Sequence, residues 1–171
     1  HLTGLFEKFN ALTILIIGDV MIDSYYWGKV DRISPEAPVP IVSVEKKESR
    51  LGGAANVALN IKAMGSTPIL CSVIGADDDG KELIALTKEN GQSVNGLMQS
   101  STRRTTKKTR IIGNNHQMLR IDGEDLHPLT ESEETSFYEK IHKIINAQKV
   151  DAIIFEDYDK GSITASLIKK V

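Results

Sequence analysis

Three short runs, Thr13-Ile14-Leu15-Ile16-Ile17, Ile69 to Ile74 and Ala152-Ile153-Ile154-Phe155, are apolar with almost no polar alternation. A strand that covers only one face of a sheet alternates apolar with polar residues. A continuous apolar strand needs cover on both faces, which is the situation inside a parallel sheet flanked by helices. Helical patterns lie between and after these runs. Ala54 to Met64 is closed by Gly65, and Lys81 to Glu89 by Asn90-Gly91; glycine and asparagine after a helix are common stops. Thr130-Glu131-Ser132-Glu133 is a capping-box sequence, followed by Phe137, Ile141, Ile144 and Ile145 on one helical face. Strands alternating with helices predict an α/β fold with a mostly parallel sheet.

Two segments break this rhythm. Pro38 to Val44 reads as an extended strand after a proline-rich lead-in, and Lys107–Ile112 and Gln117–Ile121 flank Gly113-Asn114-Asn115-His116 as a hairpin. Such antiparallel material is expected to form a separate small sheet over one edge of the domain. Residues 1–12 read as a lead-in to a unit spanning 13–171. Ser162 to Val171 reads as the start of a crossover helix, which normally delivers the chain to another parallel strand. The expectation is therefore the N-terminal part of a longer protein.

Composition narrows the function. The 171 residues hold 21 Lys+Arg against 23 Asp+Glu, a formal charge of -2, without the basic excess of a nucleic-acid binder. The single cysteine, Cys71, excludes an internal disulfide and reads as a buried thiol on a strand. No apolar stretch approaches the roughly 18 residues of a membrane span, and no signal peptide is evident, so a cytoplasmic setting is expected. Asp77-Asp78-Asp79-Gly80 lacks the further ligands of a calcium loop and reads as a helix cap. Four scattered histidines show no zinc spacing, and no metal site is expected.

The chemistry-bearing elements are few. In Leu51-Gly52-Gly53-Ala54-Ala55-Asn56-Val57-Ala58 two glycines open a helix. The backbone can there approach a ligand closely, and free N–H groups at the helix start can meet oxygen atoms. Asn56, in the first turn, can donate to and accept from a sugar hydroxyl. Gly18-Asp19-Val20-Met21-Ile22-Asp23 follows the first strand, and ligands of open α/β sheets bind at such carboxyl ends. Asp23 there suits a polyol, while Asp19 reads as a cap of a local helix or turn. Arg103-Arg104-Thr105-Thr106-Lys107-Lys108-Thr109-Arg110 is either a charge-protected strand or a phosphate grip, and strand alternation lets about half of it share one face.

Taken together, Gly52-Gly53-Ala54-x-Asn56-x-Ala58, then Gly65 and Gly75 at their spacing, resembles the first signature of the PfkB/ribokinase family of carbohydrate kinases. Gly18-Asp19-Val20-Met21-Ile22-Asp23-x-Tyr25 and Arg32-Ile33-Ser34-Pro35-Glu36-Ala37-Pro38-Val39-Pro40 are similar, more narrowly, to the D-glycero-β-D-manno-heptose 7-phosphate kinases. This resemblance implies a ribokinase-like, doubly wound α/β fold, incomplete in this chain, with a small β lid from about 25–50 and 103–122 that often serves dimerisation. It implies transfer of the ATP γ-phosphoryl, with Mg²⁺, to the anomeric hydroxyl of heptose 7-phosphate, for ADP-heptose and lipopolysaccharide core synthesis.

Carried over by position, Asp23, Gly52, Gly53, Asn56, Gln117 and Asp157 would bind the sugar. Arg103, Lys108, Arg110, Arg120 and Lys160 are the phosphate-binding candidates, the last from Asp157-Tyr158-Asp159-Lys160-Gly161, which matches an Asp-Tyr-x-Lys-Gly pattern. Asn115 also falls at a family-like position. The family's Gly-Ala-Gly-Asp segment, which carries the general base, is absent from these residues, as is most of the ATP site. The base is expected beyond residue 171, ATP is expected to bind through that later part, and residues 1–171 alone are expected not to turn over. Alternatives are a PfkB kinase for another sugar, such as ribose or fructose, and a non-catalytic sugar-binding module.

Overall fold

The computed structural model describes residues 2–171; His1 lies outside them. The chain runs α1 (Leu2–Phe9), β1 (Thr13–Gly18), β2 (Val20–Ile33), β3 (Pro40–Gly53), α2 (Ala54–Ala63), β4 (Thr67–Gly75), α3 (Asp78–Glu89), β5 (Leu97–Ser100), β6 (Lys107–Gly113), β7 (His116–Gly123), α4 (Glu131–Ala147), β8 (Ala152–Glu156) and α5 (Ala165–Lys170). The strands form two four-stranded sheets, ordered β5-β4-β1-β8 and β3-β2-β6-β7.

The first sheet is wholly parallel, with Leu15 of β1 opposite Ile69 of β4 on one side and Ile153 of β8 on the other. Its two faces build two cores. Ile14, Ile16, Leu70 and Ile74 pack with Ala54, Ala55 and Ala58 of α2 and Leu83 of α3. Leu15, Ile17, Ile69, Cys71 and Val73 pack with Phe137 and Ile141 of α4 and Leu167 of α5. Cover on both faces explains why β1 and β4 lack alternation. It also pushes the Cys71 thiol up to about 12, mainly by burial, so it is inert at neutral pH. Ala152–Glu156 is the expected strand, but burial on both faces is not seen: among residues 1–171 it is last in the strand order, with Ala152 exposed and Ile153 37% exposed.

The second sheet starts at Val20, one residue after β1. Its strands β2 and β3 pair antiparallel from Val20↔Gly53 to Ile33↔Pro40, with irregularities at Trp27/Gly28 and Val30/Arg32. It therefore reaches beyond 25–50 at both ends, because the apolar Val20-Met21-Ile22 and Leu51 form its buried root beside α2. Strand β6 pairs antiparallel with β7, as the expected hairpin, and in parallel with β2, and residues 103–106 precede it as a loop. The β6–β7 connection is a two-residue turn at Asn114 and Asn115 (φ 51° and 65°), the positive-φ geometry that matches strand twist.

The helix starts follow the sequence. Thr130 accepts from the Glu133 N–H at 3.3 Å while Glu133 accepts from the Thr130 N–H at 3.0 Å. The second Glu133 oxygen takes the hydroxyls of Ser100 and Thr102, tying α4 to the end of β5. Asp77 caps α3 by accepting from the Gly80 N–H at 2.7 Å. Gly53 caps α2 at φ 58°, ψ -139°, and a side chain there would strike the Asp19 carbonyl. No helix among the described residues is long and apolar enough to cross a membrane.

Burial alone would raise the Glu133 carboxyl, but the Ser100, Thr102 and Thr130 donors hold it down at about 2. Its contribution is present above the ordinary value near 4.5 and is lost as pH falls toward 2. Glu133→Gln should lower stability at neutral pH and flatten its decline over that acid range, read as the urea midpoint against pH. Gly53→Ala combines a glycine-only backbone conformation with a clash, and should cost about 2–3 kcal/mol in the same measurement.

Candidate functional site

Strands β1, β4, β5 and β8 are parallel, so residues 19, 76–77, 100–106 and 157–162 gather at one edge, the carboxyl ends of the sheet. Asp19 organises that edge. Its N–H donates to the Glu156 carbonyl at 3.0 Å, and its own carbonyl accepts from Ala54 at the start of α2 at 2.9 Å. Its side chain is 2% exposed. One carboxylate oxygen accepts from the N–H groups of Tyr158 (2.9 Å) and Lys160 (3.1 Å), the other from Ser162 (3.2 Å). A buried carboxylate is tolerated when such donors replace water. The expected local cap is thus a long-range one, since the donors come from the loop after β8. That loop holds two left-handed residues, Asp159 (φ 57°) and Gly161 (φ 80°).

Asp23, four residues into β2, stands over Gly52, where a Cβ would collide with its carboxylate. Arg110 donates to the Asp23 carboxylate at 2.6 Å. The same sheet face carries Tyr25, stacked on Trp27 at 5.2 Å and flanked by the Arg50 and Arg110 guanidiniums, each 5.3 Å from its ring. Asp23, Gly52 and Arg110 are therefore brought together, with the glycine pair leading into α2. Asn56 is exposed in the first turn of that helix. Asp157 is exposed on the β8 loop, where it accepts from the Asp159 N–H at 2.8 Å. Gln117 is not part of this cluster. It pairs with Ile112 at the level of Trp27, roughly 13 Å along the sheet from Asp23 by strand rise. Asn115 lies farther out, in the hairpin turn.

The five phosphate candidates differ in setting. Lys108 reaches Asp122 at 2.9 Å and Glu124 at 2.8 Å, and Glu124 also lies 3.3 Å from Lys160. Arg120 pairs with Asp122 at 2.8 Å. Lys107 points to the opposite face, toward Asp79 and Glu82. An incoming phosphate must displace these carboxylates from Lys108, Arg110, Arg120 or Lys160. Arg103 stands apart. It is 8% exposed and donates to the carbonyls of Lys160 and His127, with its other terminal nitrogen buried and unpartnered. Burial pulls its guanidinium below the ordinary value, opposed by the carboxylates of Asp19, Glu133 and Asp125. Through one terminal nitrogen it braces the loops at His127 and Lys160. Arg103 also lines a groove of about 410 Å³ together with Asp77, Ser100, Thr102, Arg104 and Asp125.

Sequence reasoning missed Tyr158. Partial burial, then the Glu156 and Asp23 carboxylates, push its phenol above the ordinary value. Its position inside Asp-Tyr-x-Lys-Gly was the available signal. Among the described residues no three His, Cys, Asp or Glu side chains converge to hold a metal ion.

A family model for the pfkB family carbohydrate kinases matches residues 11–168. The chain is 40% identical over 165 residues to the bifunctional protein HldE of Pelobacter propionicus, covering 96% of this chain and 33% of that protein. It is 42% identical over 158 residues to HldE of Helicobacter pylori, covering 92% and 34%. The chain spans about a third of the length of these curated relatives. Among solved structures, phosphofructokinase-2 from Escherichia coli in complex with fructose-6-phosphate superposes with a TM-score of 0.64 at 13% identity, covering 93% of this chain and 49% of that one. A carbohydrate kinase from Agrobacterium tumefaciens gives 0.54 at 15% identity, with 82% and 52% covered. These two likenesses speak to the fold, which is ribokinase-like. The family match covers nearly all of the two-sheet architecture and the whole carboxyl-edge cluster: the chain belongs to the pfkB family of carbohydrate kinases.

Proposed function

We propose that this chain is the acceptor-sugar side of an ATP-dependent kinase acting on D-glycero-D-manno-heptose 7-phosphate. The observation that carries the reading is the Asp23 carboxylate set against Gly52, beside Arg110 and the start of α2. A carboxylate accepts from two neighbouring hydroxyls, and a glycine-lined approach lets a sugar ring come close to the backbone. Asp23, Gly52, Gly53, Asn56 and Asp157 hold the sugar hydroxyls. Lys108, Arg110, Arg120 and Lys160 receive the 7-phosphate, which exchanges with Asp122 and Glu124 as their anionic partner. Gln117, at the far end of the sheet, serves the sugar only if the sheet moves.

In the proposed reaction the anomeric oxygen bonds to the ATP γ-phosphorus as the β,γ-bridging bond breaks. The hydroxyl proton passes to an aspartate outside residues 1–171, ADP leaves, and heptose 1,7-bisphosphate remains. ATP brings Mg²⁺, and this chain's own part is to bind and orient the acceptor. The second sheet is the lid on this reading. Leu119 and Ile121 on its outer side are 55% and 53% exposed, which supports a homodimer formed through it.

Calorimetric titration of the full-length protein with heptose 7-phosphate, ribose, fructose 6-phosphate and ATP–Mg²⁺ tests the proposal. Selective binding of heptose 7-phosphate is expected. Asp23→Ala and Asn56→Ala should each weaken sugar binding by about 1–2 kcal/mol, roughly tenfold, and leave ATP binding unchanged. Equal losses for both ligands would contradict the site map.

A further inference from the structure

The peptide at Lys160 is held at both ends by buried ionic groups. Asp19 accepts its N–H at 3.1 Å, and Arg103 donates to its carbonyl. Asp19 also takes the N–H groups of Tyr158 and Ser162, so alternate residues of the loop point their amides at a single carboxylate. A loop with left-handed backbone at Asp159 and Gly161 does not hold such a shape unaided, because non-glycine residues disfavour it. The two clamping side chains are 2% and 8% exposed, too buried to meet a ligand first. What the clamp presents is Tyr158, 46% exposed, whose phenol is hydrogen-bonded to the Glu156 carboxylate and within electrostatic reach of Asp23.

We propose that Asp19 and Arg103 are positioning residues that set the β8 loop so that Tyr158 contacts the acceptor polyol beside Asp23. The inference rests on the sugar-acceptor reading and adds to it a third kind of contact, a neutral hydroxyl donor with an aromatic face. With Asp23 accepting from one hydroxyl, the Tyr158 phenol exchanges its bond to Glu156 for a neighbouring sugar oxygen, and its ring covers an apolar patch of the sugar. A phenol held above its ordinary value stays protonated at neutral pH and keeps this donor. Arg103, one of the basic run, thus acts through the loop and not on the phosphate.

The test uses the full-length protein and two readouts. Hydrogen exchange reports the amides of Tyr158, Lys160 and Ser162, and calorimetry reports heptose 7-phosphate and ATP–Mg²⁺ separately. Tyr158→Phe should leave the amides protected and weaken sugar binding roughly five- to twentyfold, with ATP binding unchanged. Arg103→Ala should expose the amides and weaken the sugar to a similar degree. Arg103→Lys, which can still donate to the Lys160 carbonyl, should recover part of both. Asp19→Asn should behave like Arg103→Ala, and a folded far-UV spectrum for each variant separates a loosened loop from an unfolded protein. Unchanged sugar affinity in Tyr158→Phe overturns the role of Tyr158. Exposed amides without loss of sugar affinity in Arg103→Ala overturn the positioning role. Wild-type protein that binds none of the sugars overturns the acceptor reading itself, whatever the amides show.

Discussion

Everything at the working edge of this molecule hangs on one buried carboxylate. Asp19 is the single residue between β1 and β2, so it belongs to neither sheet and joins both. Its backbone fastens the end of β8 and the start of α2, and its side chain fastens the loop after β8. A charge in such a place costs several kcal/mol unless donors replace its hydration. Here three amides do so, and the loop gains its shape in return. Removing the carboxylate would leave three N–H groups without partners, that of Ser162 buried and those of Tyr158 and Lys160 partly so, a larger loss than any one hydrogen bond contributes.

The second sheet is organised by charge more than by apolar burial. Beyond its root at Val20, Ile22 and Leu51, its inner face is a mesh of opposite charges around Tyr25 and Trp27. Arg110 rests on Asp23, Lys108 on Asp122 and Glu124, and Arg120 on Asp122. Most of these side chains are partly buried, so each pair offsets its attraction against lost hydration and adds little net stability. Their effect is to hold a basic face in a compact, neutralised arrangement, from which a single polyanion can displace several carboxylates.

Much of the parallel body was legible because its signals are local. Continuous apolar runs mark β1 and β4, and the Thr130–Glu133 pair followed by Phe137 and Ile141 marks α4. Strand β2 was hidden: Val20 to Ile33 mixes aspartate, serine, aromatics, glycine and lysine, and its partners β3 and β6 are distant in sequence. For the candidate site, Asp23 and Gly52-Gly53 each stand out within a contiguous, chemically specific run, and it is the β2–β3 pairing that brings the two runs together. The separation of Arg103 from Arg110 was not legible, since a basic run does not reveal which way each side chain faces. Tyr158 was overlooked for the same reason: its neighbour Asp23 lies at the other end of the chain.

The parallel pairing of β2 with β6 has a kinetic meaning. The β2–β3 and β6–β7 hairpins each close a short loop, but their union joins Ile22 to Lys107 across α2, β4, α3 and β5. Loop-closure entropy makes such a contact late. Two hairpins with open edges must therefore wait for the helices and β4 to pack, and this interval is when the chain is most exposed to pairing with another copy of itself.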